Sequence, residues 1–287
     1  MISQKCECKD IKKLYSCKFF LIFFTQNLIF YVIYYNFAQV FANSIFKMLD
    51  KTLGIVLCSI PYNDNSQFVH IYTEKFGKIT YKVAIKHYRK TAHQRMAFTP
   101  MSLLELDVEH SESSEVQKIK EVVVISSPLM TGTSDAVKYS QCLYLAELLD
   151  KSVREVEKNN QLWEYIYNSL EMLFLPEFSS DEFHLLFTAN LFGHLGFGIN
   201  YMEYAKGMQF DMKEGCFTNT PILHPYFLNK VSAEYLYRLL STEFSDIQSL
   251  KLNRDERQTM LDILLIYLKI HIPELENVNF DILKDIL

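Results

Sequence analysis

The sequence predicts an α+β protein: a small N-terminal β-barrel followed by an all-α helical domain with an irregular insertion. Three observations predict it. Between Thr52 and Ser126, five runs alternate apolar and polar residues with a period of two, separated by turn-forming residues. Beyond Pro128 the apolar spacing lengthens to that of a helix and, apart from one interruption, keeps it as far as Ile270. The chain's 287 residues, 49% hydrophobic and 14% aromatic, suffice for two domains with full cores, which excludes disorder over most of the length.

The expected strands cover residues 52–60, 67–73, 78–86, 101–108 and 118–126. Pro61 to Ser66 (PYNDNS) supplies Asn and Asp to the first turn, and Gly77 frees the backbone between the second and third strands. In the fourth, Leu104, Leu106 and Val108 face one way, while Glu105, Asp107 and Glu109 face the other. Five short antiparallel strands without room for crossover helices make a Greek-key barrel. The oligonucleotide-binding (OB) fold is the commonest five-stranded version, and an SH3-like barrel shows the same periodicity. Residues 48–128 are therefore assigned to an OB-type domain and 129–287 to the helical domain.

In that second domain, Val137, Leu143, Leu145, Leu148 and Leu149 form one apolar stripe. Leu162, Ile166, Leu170 and Leu173 form the next. Ser179 with Glu182, and Asn253 with Glu256, have the spacing of capping boxes that open helices at Phe183 and Arg254. Residues 193–225, rich in Gly, Asn and Pro, read as the insertion.

Residues 1–47 stand apart. Lys5, Lys9, Lys12, Lys13 and Lys18 precede an apolar run over residues 19–35, interrupted by Thr25, Gln26 and Asn27. A signal peptide or short anchor is one reading. The favoured one is translation of AT-rich spacer ahead of a start at Met48, because the segment is biased toward Phe, Tyr, Ile, Asn and Lys and its polar centre is costly in hydrocarbon. The expected protein is then cytoplasmic, at the nucleoid, without stable membrane association. Cysteines at positions 6, 8, 17, 58, 142 and 216 show no closely spaced framework, in keeping with reduced thiols.

Catalytic signatures are weak. His184, His194, Cys216 and His224 match no zinc spacing, and Gly193 to Gly198 (GHLGFG) lacks the lysine of a phosphate loop and reads as a helix end. No nucleophile motif stands out. The expectation is a non-enzymatic protein with no cofactor and no metal.

Charge points elsewhere. The chain has a formal net charge of -5, yet residues 75–95 (KFGKITYKVAIKHYRKTAHQR) carry seven Lys/Arg and no Asp or Glu. Such a reversal of sign suits a polyanion. Lys78, Lys82 and Lys86 share one face of the third strand, about 13 Å apart in succession at roughly 3.3 Å per residue, as a row that could follow a phosphate backbone. Lys75, Arg89, Lys90 and Arg95 extend it, and Tyr88 offers a ring for stacking on bases. Tyr81 alternates with the buried set and is expected in the core. Residues 131–287, with 13 Lys/Arg against 23 Asp/Glu, should meet different partners.

Specific residues resemble a known family. Residues 52–57 (TLGIVL), 62–66 (YNDNS) and 71–77 (IYTEKFG) look like the opening T-x-G-I-V-L, Y-x-(E/D)-x-S and (I/Y)-T-x-x-x-G series of the RecO family of bacterial recombination mediators. Residues 195–197 (LGF) and 267–273 (YLKIHIP) look like its later landmarks. The resemblance covers residues 48–287. It implies a mediator of recombinational DNA repair that binds single- and double-stranded DNA, anneals strands, contacts the C-terminal tail of single-stranded DNA-binding protein, and acts with RecR to load RecA. Many members carry a four-cysteine zinc module in the helical domain. Here Cys216 is the one cysteine of the insertion, so no structural zinc is expected and Phe210, Phe217 and Pro221 are expected to fill it. The alternative is an OB-barrel protein-interaction module with no DNA binding of its own.

Overall fold

A computed structural model describes residues 49–84, 96–111, 114–130, 136–154, 157–178, 180–278 and 280. Five strands, β1 (Leu49–Asn63), β2 (Ser66–Thr73), β3 (Gly77–Ala84), β4 (Leu103–Glu109) and β5 (Val116–Ser126), close into a barrel in the order β1-β2-β3-β5-β4. β1, β2 and β3 form a meander. β4 returns to pair with β1, and β5 enters between β4 and β3. This closure is that of an OB barrel, and it brings one departure from the all-antiparallel expectation: β5 runs parallel to β3, with Thr80 to Lys82 opposite Val116 to Lys118. A parallel neighbour needs a long connection, and the intervening β4 with its loops supplies one.

The alternation read from the sequence is what fills the barrel. Val56, Val69, Ile71, Ile79, Tyr81, Val83, Leu104, Leu106 and Val108 point inward and are buried. Gly54 lies where β1 passes closest to its neighbours. A Cβ there would sit 2.6 Å from Ile71 Cγ2 and 2.8 Å from Leu106 Cδ1, so only glycine fits without repacking.

The helical domain has α1 (Ala136–Ser152), α2 (Asn160–Leu173), α3 (Phe183–His194), α4 (Lys230–Leu240) and α5 (Arg254–His271). Helix α3 is buried on nearly every side, as its unbroken apolar sequence requires, and the other four pack around it. Asn159 and Asn229 cap α2 and α4 through side-chain oxygens. The expected capping box of α5 is present: Glu256 N–H donates to Asn253 Oδ1 at 3.0 Å, and Asn253 N–H to Glu256 Oε2 at 2.8 Å. The one expected for α3 is not the device used. Ser179 lies outside the described residues, Glu182 is itself the cap residue without a side-chain cap bond, and its N–H donates to Ser180 Oγ at 3.1 Å.

Helix α3 ends at a glycine turn, as its sequence predicts. Gly196 takes a φ of 92°, and Phe197 N–H reaches back to the Phe192 carbonyl at 3.0 Å, the reverse-turn closure of a Schellman motif. Phe197 then stacks on His271, with ring centroids 5.0 Å apart. The insertion is more ordered than its composition indicates. It holds a small antiparallel sheet of β6 (Gln209–Asp211), β7 (Cys216–Thr218) and β8 (Phe227–Leu228), in the order β7-β6-β8. Phe210 and Phe217, paired across it, are buried against Tyr267 and Tyr237, while Pro221 stays exposed. Among the described residues, no helix is long and apolar enough to cross a membrane.

Barrel and helices share a core. Strand β1 is buried on both faces: Val56 points into the barrel, whereas Ile55 and Leu57 join Tyr72, Met101 and Leu103 in the apolar cluster of the helices. Tyr72 lies against Trp163 of α2 at a centroid distance of 6.0 Å. A polar lock sits beside this contact. Asp150, in the last turn of α1, pairs through Oδ1 with His70 Nδ1 at 2.8 Å and Lys78 Nζ at 2.9 Å, and Lys78 also donates to the Asp150 carbonyl. Burial raises the Asp150 pKa, but the bonds from His70 and Lys78 outweigh it and hold the carboxyl below its ordinary value. An ammonium here also complements the negative end of α1.

Two outcomes follow from this packing. Lys78→Ala should lose about 1–3 kcal/mol of folding stability in chemical denaturation, since it removes the ammonium that the partly buried Asp150 carboxylate and carbonyl share and leaves His70 as the carboxylate's remaining partner, whereas Lys82→Ala should stay within about 0.5 kcal/mol of the parent. The second concerns His184, buried in α3. Desolvation, then the nearby Arg257 charge, push its pKa down to about 3 against the opposing pull of the Asp181 backbone. Below pH 6.5 the unfolded chain takes up this proton and the folded one does not, so stability falls as pH falls, at up to about 1.4 kcal/mol per pH unit. His184→Gln should flatten the dependence of the denaturation midpoint on pH between about pH 6 and pH 4 relative to the parent.

Candidate nucleic-acid interface

Strand β3 alternates as expected: Ile79, Tyr81 and Val83 are buried, while Lys82 and Ala84 are exposed. Its outer face is divided in two. Lys78 lies at the end covered by α1 and is only 22% exposed, its ammonium held by Asp150. Lys82, four residues on, is beyond the helices and open to solvent. The continuous row expected of Lys78, Lys82 and Lys86 is thus broken at its first member, because one end of the strand is a domain joint. Lys75 lies 3.7 Å from Asp50 and is partly exposed. Lys86, Tyr88, Arg89, Lys90 and Arg95 fall outside the described residues.

The structure brings other lysines to Lys82. Because β5 runs parallel to β3, Lys118 lies directly opposite Lys82, and Lys120 follows two residues on. The pairing of β3 with β5 stops there, and beyond it the strands border an open groove of about 810 Å³, lined by Ser66, Lys82, Ala84, Lys118, Lys120 and Val123 among others. Lys120 forms an ion pair with Glu109 at 2.8 Å, and Glu121 also lines the groove. Among the described residues, neither Lys82 nor Lys118 has a carboxylate at ion-pair distance. Two ammonium groups directly opposite one another on neighbouring strands repel, and an anion between them relieves that repulsion.

An aromatic pair adjoins the lysines. Tyr62 and Phe68 have ring centroids 4.9 Å apart, and Lys82 Nζ lies 4.8 Å from the centre of the Tyr62 ring. Sequence reasoning placed Tyr62 in a turn and did not single out Lys118, Lys120 or Phe68. The alternation of Lys118 and Lys120 with Gln117 and Ile119 was a usable sign of a second basic strand, but only the parallel pairing places it beside the first.

The other polar clusters are structural. Asp211 accepts from the N–H groups of Lys213 and Glu214 to close the β6–β7 turn, and its other oxygen is 3.2 Å from His224 Nε2. Burial and then the charge of Asp211 push the Cys216 thiol pKa up, which disfavours the thiolate. No group of three or more His, Cys, Asp or Glu converges as a metal site among the described residues.

Comparison with known proteins agrees with this architecture. The family model "Recombination protein O N terminal" matches residues 48–128, and "Recombination protein O C terminal" matches residues 133–277. The chain is 36% identical over 225 residues to the DNA repair protein RecO of Azobacteroides pseudotrichonymphae genomovar. CFP2, a match spanning 78% of this chain and 93% of that protein. It is 32% identical over 240 residues to the DNA repair protein RecO of Phocaeicola vulgatus, spanning 83% of this chain and 99% of the relative. The RecO of Bacteroides fragilis is likewise 32% identical, over 241 residues and with the same coverage. With the barrel and the helical domain each matched to its own part of the family, the chain belongs to the DNA repair protein RecO family.

Proposed function

We propose that this protein is a non-catalytic, DNA-binding mediator of recombinational repair, and that its DNA surface is the basic groove between β3 and β5. The observation that carries this reading is the juxtaposition of Lys82, Lys118 and Lys120 on an OB barrel. Ammonium groups along a groove neutralise phosphates without reading bases, so binding is independent of sequence and sensitive to salt. Lys75, Arg89, Lys90 and Arg95 extend this surface in the proposal, with Lys86 and Tyr88 following β3. Lys78 is left to the domain joint.

The finer activities come from kinship with RecO proteins. A mobile electrostatic hold screens repulsion between strands and leaves base edges free, which favours annealing of complementary single strands. The helical domain, with its acidic balance, is assigned to protein partners: RecR, the tail of single-stranded DNA-binding protein and, functionally, RecA, at the nucleoid.

Titration with single-stranded DNA across salt concentrations tests the central claim. If three to five phosphates are neutralised, log K should fall against log salt with a slope of about -2 to -3.5, at roughly -0.7 per phosphate. Replacing Lys82 and Lys118 together by Glu, which spares the Lys120–Glu109 pair, should leave the thermal transition in place and lower affinity by on the order of tenfold or more at low salt. Unchanged affinity in that variant would remove the groove from consideration. A parent protein with no DNA affinity at low salt but strong binding to a partner's tail would instead favour the interaction-module alternative.

A further inference from the structure

We infer that Tyr62, backed by Phe68 and flanked by Lys82, is a stacking platform for an unpaired nucleobase at the edge of the basic groove. The inference rests on the DNA-binding reading above and gives that surface a preference for single strands.

The register builds the platform. Across the outer face of the barrel, Ile60 pairs with Phe68, Phe68 with Lys82, and Lys82 with Lys118, so an apolar stretch runs directly into a basic one. The β1–β2 pairing shifts register between Pro61 and Asn63, leaving Tyr62 as the unpaired residue of a bulge. Bulges re-aim side chains, and this one places the Tyr62 ring beside Phe68, tilted by 58°. Tyr62 is nevertheless 57% exposed. A ring held in place by a second ring and an ammonium, yet open to water, loses little rotamer freedom when a flat ligand covers it.

The chemistry of the neighbours selects the ligand. Aromatic side chains stack on any base, and a lysine next to the ring meets the phosphate flanking that base. Bases in a duplex are already stacked on one another and paired, so only an unpaired base can lie on Tyr62. The lysines alone would hold single and double strands by charge. The ring adds affinity for the single strand.

The test uses the full chain at one salt concentration with three ligands: a single strand, an abasic strand of equal length and charge, and a duplex. Tyr62→Ala should weaken binding of the ordinary single strand by about tenfold and leave the abasic strand and the duplex nearly unchanged, whereas Tyr62→Phe should keep parental affinity. In Tyr62→Trp, added to a chain whose one other tryptophan is the buried Trp163, the ordinary strand should quench the new emission and the abasic strand should not. Parental affinity of Tyr62→Ala for the ordinary strand, or an equal loss on the abasic strand, overturns the platform while the DNA-binding reading stands. A parent protein that binds none of the three ligands overturns both.

Discussion

The burial of β1 on both faces is the constraint on which the rest of the molecule depends. One face closes the barrel through Val56, and the other, through Ile55 and Leu57, belongs to the core of the helices. A strand that serves two cores cannot slip by one residue without sending each set of side chains into the core shaped for the other, so its register is fixed from both sides. Asp150 adds direction to this apolar contact by engaging His70 of β2 and Lys78 of β3 from the end of α1. The barrel is therefore held at a defined angle, with its β1–β2 wall covered around Ile55, Leu57 and Tyr72 and its β3–β5 wall left open.

That orientation accounts for how positive charge is used. Lysines near the covered wall become structural, as Lys78 does. Those at the open wall, Lys82 and Lys118, keep their charge for solvent or a ligand. The electrostatic sign of the groove contrasts with the net charge of -5 for the chain. In the proposed role, a local field of this kind would guide a polyanion to one wall while the acidic balance of the helices disfavours it elsewhere.

Much of the fold was legible because periodicity reports directly on burial. The alternation in β3 and β4 and the Asn253–Glu256 capping box depend on neighbours a few residues away. The insertion was less legible, because strands of two or three residues are too short to display a period and its order comes from Phe210 and Phe217 meeting distant tyrosines. The site was legible only in part. Lys82 was visible as an exposed lysine on a strand, but its partner Lys118 lies 36 positions away and reaches it through a parallel pairing that no local pattern announces. Lys78 read as equivalent to Lys82, since its distinction lies in Asp150, on a helix of the other domain.

The parallel seam has a mechanical meaning. Among the described residues, β3 meets β5 over three residue pairs, while on its other edge it meets β2 over eight. Among those residues this seam is the shortest of the five that close the barrel, and it lies beside the basic groove. The shared strand β1, paired along both of its edges, stands across the barrel from that seam, so the least and the most firmly tied parts of the wall occupy opposite sides of one small cylinder.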